Sequence, residues 1–88
     1  MYEIFLSKET VRFLVNLDRE NEEVIRNKIK KLGESPEFFG KHLKGINLWS
    51  LRIGKYRVLY EIDEEKKKIL IMTIGHRKDV YRRLKEKR

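Results

Sequence analysis

Apolar residues change their period along this chain of 88 residues, and the changes divide it into elements. Residues 2–7, YEIFLS, read as a short strand. Ser7 can then cap a helix through its side-chain oxygen, and Glu9 in the first turn suits the positive end of the helix dipole. Val11, Leu14 and Leu17 are spaced for one apolar helical stripe, which Phe13 widens. After a polar break at DREN, a second helix carries Val24, Ile25, Ile29 and Leu32. Three of these fall at i, i+4 and i+7, the spacing of one helix face. Gly33 is placed to end that helix, and Pro36 blocks its continuation.

The remainder alternates with a period of two. SPEFFGKHLKG reads as the one loop of any length. NLWSLRI and YRVLYEID read as strands joined at Gly54-Lys55, where glycine supplies the positive φ of a two-residue hairpin turn. A polar turn at DEEKK leads to a third strand, KILIMTIGH, and the tail DVYRRLKEKR reads as a short helix capped by Asp79. The predicted fold is α+β in the order β-αα-βββ-α, with the helical hairpin packed on one face of a small antiparallel sheet. One domain spans residues 1–88, since the length supports one core and not two.

Strand parity then sorts the side chains. In regular strands Trp49, Leu51 and Ile53 share a face with Tyr56, Val58, Tyr60 and Ile62, and Leu70, Met72 and Ile74 are expected beneath the helices with them. Arg52 and Arg57 project from the opposite face. So do Ile71, Thr73, Gly75 and, if the last strand stays regular, Arg77. Three arginines on adjacent strands repel one another, and bound anions relieve that repulsion. A guanidinium also offers a planar fork that matches two phosphate oxygens. The competing reading is an ordinary wet sheet face, its charges paired with Glu61.

Composition narrows the partner. The net charge is +8, and it is unevenly placed. Residues 1–40 hold seven Lys/Arg against eight Asp/Glu, whereas residues 41–88 hold fifteen against six. A one-sided positive field of this kind attracts polyanions. The chain has no cysteine and only two histidines, His42 and His76, which argues against disulfides, thiol chemistry and a metal site. No metal and no cofactor are expected. MYEIFLSKE resembles neither a signal peptide nor a membrane span, so a cytoplasmic protein with no membrane association is expected.

LKGINLWSLRIGKYRVLYEID, followed by IMTIGHRKDVY, closely resembles the RelE branch of the RelE/ParE toxin superfamily. The shared features are Leu-x-Gly before a Trp-containing strand, the Arg-x-Gly-x-Tyr-Arg hairpin, a downstream Gly-His-Arg, and a tyrosine soon after it. The resemblance implies the RelE-like microbial ribonuclease fold and the toxin of a toxin–antitoxin system. Such a toxin cuts mRNA in the ribosomal A site without a metal, as the ribose 2′-hydroxyl attacks the adjacent phosphate and expels the 5′-oxygen.

By the same resemblance, Arg57 stabilises the transition state and Arg77 binds phosphate and assists the leaving oxygen. Tyr81 stacks on a base and takes part in proton transfer. Arg52 occupies the second of two lysine positions. Ser50 occupies the first, so one cation is absent and no general base is named. His76 is an auxiliary candidate for that role, with an ordinary pKa of about 6.5, although parity sets it opposite Arg77. Lys41, His42, Lys44, Lys55, Lys78 and Arg82 are the expected contacts to RNA phosphate.

The partners implied are mRNA on the ribosome and an acidic, helical RelB-like antitoxin in a hetero-oligomer. That antitoxin would lie across the basic surface or displace the C-terminal helix. Two other functions compete. The ParE branch shares the fold, poisons DNA gyrase and lacks the ribonuclease residues. A catalytically weak RNA-binding module of the same fold is the non-enzymatic reading, which the serine at position 50 keeps open.

Overall fold

The computed structural model describes residues 1–86, and the side chains of all of these except 81 and 83–86. The chain runs β1 (Glu3–Leu6), α1 (Lys8–Val15), α2 (Arg19–Leu32), α3 (Pro36–Phe39), β2 (Lys41–His42), β3 (Trp49–Ile53), β4 (Tyr56–Asp63), β5 (Lys68–His76) and α4 (Arg77–Glu86). This is the expected α+β order, with one short helix and one short strand added inside the segment read as loop. Pro36 sits in the first turn of α3, where its fixed φ suits a helix and its missing N–H costs nothing. The buried Tyr60 hydroxyl donates to the Pro36 carbonyl at 2.7 Å and ties that turn to the sheet.

Helix starts are set by side-chain oxygens. Ser7 Oγ accepts from the Thr10 N–H at 3.1 Å, as expected of a cap. The break before α2 is shorter than the DREN stretch, because Asp18 itself caps the helix by accepting from the Asn21 N–H. At the other end α4 begins at Arg77, directly after β5. Asp79 therefore lies in its first turn and is not its cap, a position the helix dipole equally favours.

The five strands of the described residues form one sheet in the order β1-β5-β4-β3-β2. Strands β2 to β5 pair antiparallel, as expected, and β1 joins the edge parallel to β5. Leu14 of α1 and Ile25, Ile29 and Leu32 of α2 pack on Leu51, Ile53, Tyr56, Val58, Tyr60 and Ile62, all of them buried.

On β5 the expected parity fails. Ile69 and Ile71 lie in this core at 0% exposure, whereas Leu70 is 39% exposed on the opposite face and Met72 packs there as well. Only Ile74 of the expected trio is under the helices. The cause is a β-bulge: Leu59 pairs with Thr73 but Tyr60 pairs with Ile71, so Met72 is the extra residue. Its carbonyl accepts from Ser7 Oγ at 2.8 Å, and the Ile71 carbonyl accepts from the Ser7 N–H at 3.1 Å and from Thr10 Oγ1 at 3.4 Å. The start of α1 thus supplies donors to the carbonyls of Ile71 and Met72 at the bulge.

The second face of the sheet is covered in its middle. Val80 of α4, fully buried, packs with Leu48 and Leu59, and Leu43, Ile46 and Met72 lie against them. Helix α4 therefore crosses the face opposite α1 and α2, contacting β4 and β5.

Candidate functional site

The second face reads as rows across the strands. One row runs Arg52, Arg57, Gly75 from β3 through β4 to β5. The next runs Lys41, Ser50, Leu59, Thr73 from β2 to β5. The two arginines are direct cross-strand neighbours beside a tight turn whose Gly54 has φ +57°, the conformation glycine was expected to supply. Like charges directly opposite are unfavourable in a sheet, so this pair costs stability when nothing lies between the guanidinium groups.

Arg77 follows two residues after Gly75, at the first position of α4. Arg52 and Arg77 are exposed and Arg57 is half-buried. Among the described residues the salt bridges are Arg19–Glu23, Arg26–Glu22 and Lys67–Glu64, none of which touches this group. Glu61 is on the same face but pairs with Leu70, beyond the Leu59 row, and does not neutralise the arginines. Among the described residues, then, Arg52, Arg57 and Arg77 have no salt-bridge partner.

The remaining candidates divide. Lys55 lies in the turn with its Nζ 5.6 Å from the Tyr56 ring centre. Lys78 and Arg82 are exposed on α4. Tyr81 lies one turn beyond Arg77, and its side chain is outside the described set. Lys41 belongs to β2, in register with Ser50 on the arginine side. Lys44 is exposed in the turn before Gly45, which has φ +84°.

The histidines stand apart from the arginines. His42 pairs with Trp49 on the other face, its ring 4.8 Å from the indole and its Nε2 2.8 Å from the Ile46 carbonyl oxygen. His76 pairs with the core residue Tyr56, with ring centres 5.1 Å apart. A bulge at Gly75 would be needed to turn His76 toward Arg77, and the bulge of this strand lies three residues earlier, at Met72. Trp49 and Tyr60 are packing residues, as expected. Tyr60 is fully buried, and burial raises its phenol well above the ordinary value.

Two features of the site escape the sequence pattern. Ser50 is buried at 4% exposure, and its Oγ has no hydrogen-bond partner among the described residues. The Val80 contact brings α4 alongside the arginine row, and nothing in a helix as charged as RKDVYRRLKE announces it. Among the described residues no three His, Asp or Glu side chains converge to hold a metal ion. None of the described helices is long and apolar enough to cross a membrane.

Comparison with known proteins identifies the family and the fold. Residues 4–81 match the family described as ParE toxin of type II toxin-antitoxin system, parDE. A curated relative, Toxin RelG of Mycobacterium tuberculosis, is 41% identical over an alignment of 54 residues that covers 59% of this chain. The match spans 62% of that relative's length. Two solved complexes share the fold. The RelBE2 toxin–antitoxin complex of Mycobacterium tuberculosis aligns with a TM-score of 0.78 and 28% identity, over 86% of this chain and 98% of that one. The archaeal RelE–RelB complex of Pyrococcus horikoshii aligns with a TM-score of 0.75 and 26% identity, over 86% and 94% of the respective chains.

Proposed function

Because the chain belongs to the ParE toxin family of type II toxin–antitoxin systems, within the RelE/ParE superfamily, we propose that it is a ribosome-dependent, metal-independent mRNA endoribonuclease that arrests translation. The observation that carries this reading is the row of Arg52 and Arg57, extended by Arg77 and without an acid partner among the described residues. The reaction requires such a row. The ribose 2′-oxygen loses its proton and bonds to phosphorus, the P–O5′ bond breaks, and the 5′-oxygen takes a proton. The products are a 2′,3′-cyclic phosphate and a 5′-hydroxyl.

Negative charge builds on the phosphoryl oxygens along this path. Fixed guanidinium groups stabilise it without having to reorganise. Arg57, half-buried between Arg52 and Gly75, is best held for that task. Glycine on its other side leaves the phosphate room to approach. Arg77 assists the leaving oxygen, and Tyr81 stacks on a base. The two histidines do not face the arginines, so proton abstraction falls to another group, the ribosome included.

The proposal extends to one 1–88 domain, a cytoplasmic location and a cognate acidic antitoxin. The relatives whose solved structures are RelE–RelB complexes support the antitoxin. A second reading, inhibition of DNA gyrase, is favoured by the ParE name of the matched family.

One assay separates the two. Purified protein is added to a reconstituted translation reaction and the 5′ ends of the mRNA are mapped. New ends that need ribosomes support the nuclease, and their loss in Arg77→Ala with an unchanged melting temperature supports the site. Intact mRNA on translating ribosomes overturns the reading, and a gyrase supercoiling assay then tests the second one.

A further inference from the structure

The segment from α3 into β2 displays surface that folding does not require. Phe38 is 78% exposed and Phe39 39%, their rings edge-to-face with centres 5.1 Å apart. Exposed aromatic rings are usually found on mobile or incidental surface, but this turn is anchored. The Tyr60 hydroxyl holds the Pro36 carbonyl, and Gly40 lies so close to the Tyr60 hydroxyl that any Cβ there would collide with it. Tyr60 belongs to β4, the strand that carries Arg57, so the two phenylalanines are fixed relative to the arginine row. Lys41 follows at once, exposed and in register with Ser50 on the arginine side. Glu37, the acid next to Phe38 in the sequence, has its carboxyl raised above the ordinary value by hydrogen bonding to and repulsion from Glu64.

A rigid aromatic pair beside a cation is the combination single-stranded nucleic acids use, with a base on the ring and a phosphate on the lysine. We propose that Phe38, Phe39 and Lys41 form a second contact for single-stranded RNA, reached from the arginine row through the neighbouring Lys41–Ser50 row and over the β2 edge. The inference rests on the RNA reading above and adds a place where the strand goes next. Lys41 takes the phosphate next to those held by Arg52 and Arg57, and the phenylalanines stack a base beyond it.

Fluorescence anisotropy of the full chain with a fluorescein-labelled ten-residue oligoadenylate tests this. Phe38→Leu keeps the apolar bulk but removes the ring, and at this exposure it leaves the fold intact. It should weaken binding about tenfold, whereas Phe38→Trp should retain it. The salt dependence should be unchanged in Phe38→Leu and lowered by roughly one ion in Lys41→Ala. Equal affinity of wild type and Phe38→Leu overturns the inference and leaves the pair as a surface for an apolar protein. Ring-dependent binding in a protein that fails to cut mRNA on ribosomes supports this contact while overturning the nuclease. Cleavage without ring-dependent binding does the reverse.

Discussion

The two faces of the sheet are made from the same strands by opposite rules. On the helix side, Leu51, Ile53, Tyr56, Val58, Tyr60, Ile62, Ile69, Ile71 and Ile74 all pack into one core. On the other side, consecutive rows change character: Arg52 and Arg57, then Ser50 and Leu59 beside the Val80 contact, then Leu70 and Glu61. A face that only has to fold can be uniform. On the proposed function the second face holds RNA phosphate, which would account for charges kept together that folding alone would separate, and the net stability of the first face tolerates the repulsion.

The bulge at Met72 decides which residues belong to which face, so exchanging neighbours across it breaks the comparison most sharply. Ile71→Lys places an ammonium in the core beside α1 and should cost about 4 kcal/mol or more, enough to prevent folding of a domain this small. Leu70→Lys should change stability by no more than about 0.5 kcal/mol, because Leu70 is already exposed on the other face. Urea denaturation of both variants checks this. Without the bulge the two outcomes would be exchanged.

Next in size is Arg57→Ala. It should lower ribosome-dependent mRNA cleavage by about 10²- to 10³-fold, the usual cost of removing one preorganised group from a site of developing charge. The urea midpoint should barely move, or rise, since a cross-strand repulsion is relieved at the same time. A loss of stability with proportionate loss of activity would make Arg57 part of the fold and remove the distinction between the faces.

What could be read from the sequence follows the same division. The β3–β4 hairpin is local and regular, so parity alone set Arg52 beside Arg57 and Tyr60 in the core. The α2 stripe was equally plain, because three core residues at i, i+4 and i+7 are a local signal. The bulge was not legible. It is held by Ser7, 65 residues away in sequence from Met72, and no window along β5 contains that cause. Strand β2 has two residues and therefore no period to detect. The approach of α4 to the arginine face rests on Val80, a single apolar position in a charged helix.

Ser7 serves as helix cap and as support for the bulge, and its replacement separates those two demands from ordinary surface effects. Ser7→Ala removes the acceptor for the Thr10 N–H and the donor to the Met72 carbonyl. The expected loss is about 1 to 2 kcal/mol, more than a cap on an isolated helix usually contributes. Hydrogen exchange should quicken at the β5 amides around Met72 as well as in α1. Faster exchange confined to α1 would mean that the strand holds its bulge unaided.

The helix-side face holds two hydroxyls from the strands, those of Tyr56 and Tyr60, and the pH dependence set by Tyr60 is the smallest effect. Tyr60 is buried and donates to the Pro36 carbonyl, and burial raises its pKa in the fold. A raised folded value means that the unfolded chain releases this proton first. The stabilising contribution is therefore complete below the ordinary tyrosine value of about 10 and is lost as pH climbs above it. In Tyr60→Phe the contribution is absent at every pH, and the Pro36 carbonyl loses its donor, so the variant should be weaker by about 1 to 3 kcal/mol at pH 8. The gap between wild type and variant should then narrow by about 1 kcal/mol at pH 10.5, read as urea midpoints at the two pH values. Other tyrosines titrate in both proteins and cancel from the difference. A gap that stays constant would place the Tyr60 phenol in contact with water, and with it would go the rigid attachment of the Phe38 turn to the strand of Arg57.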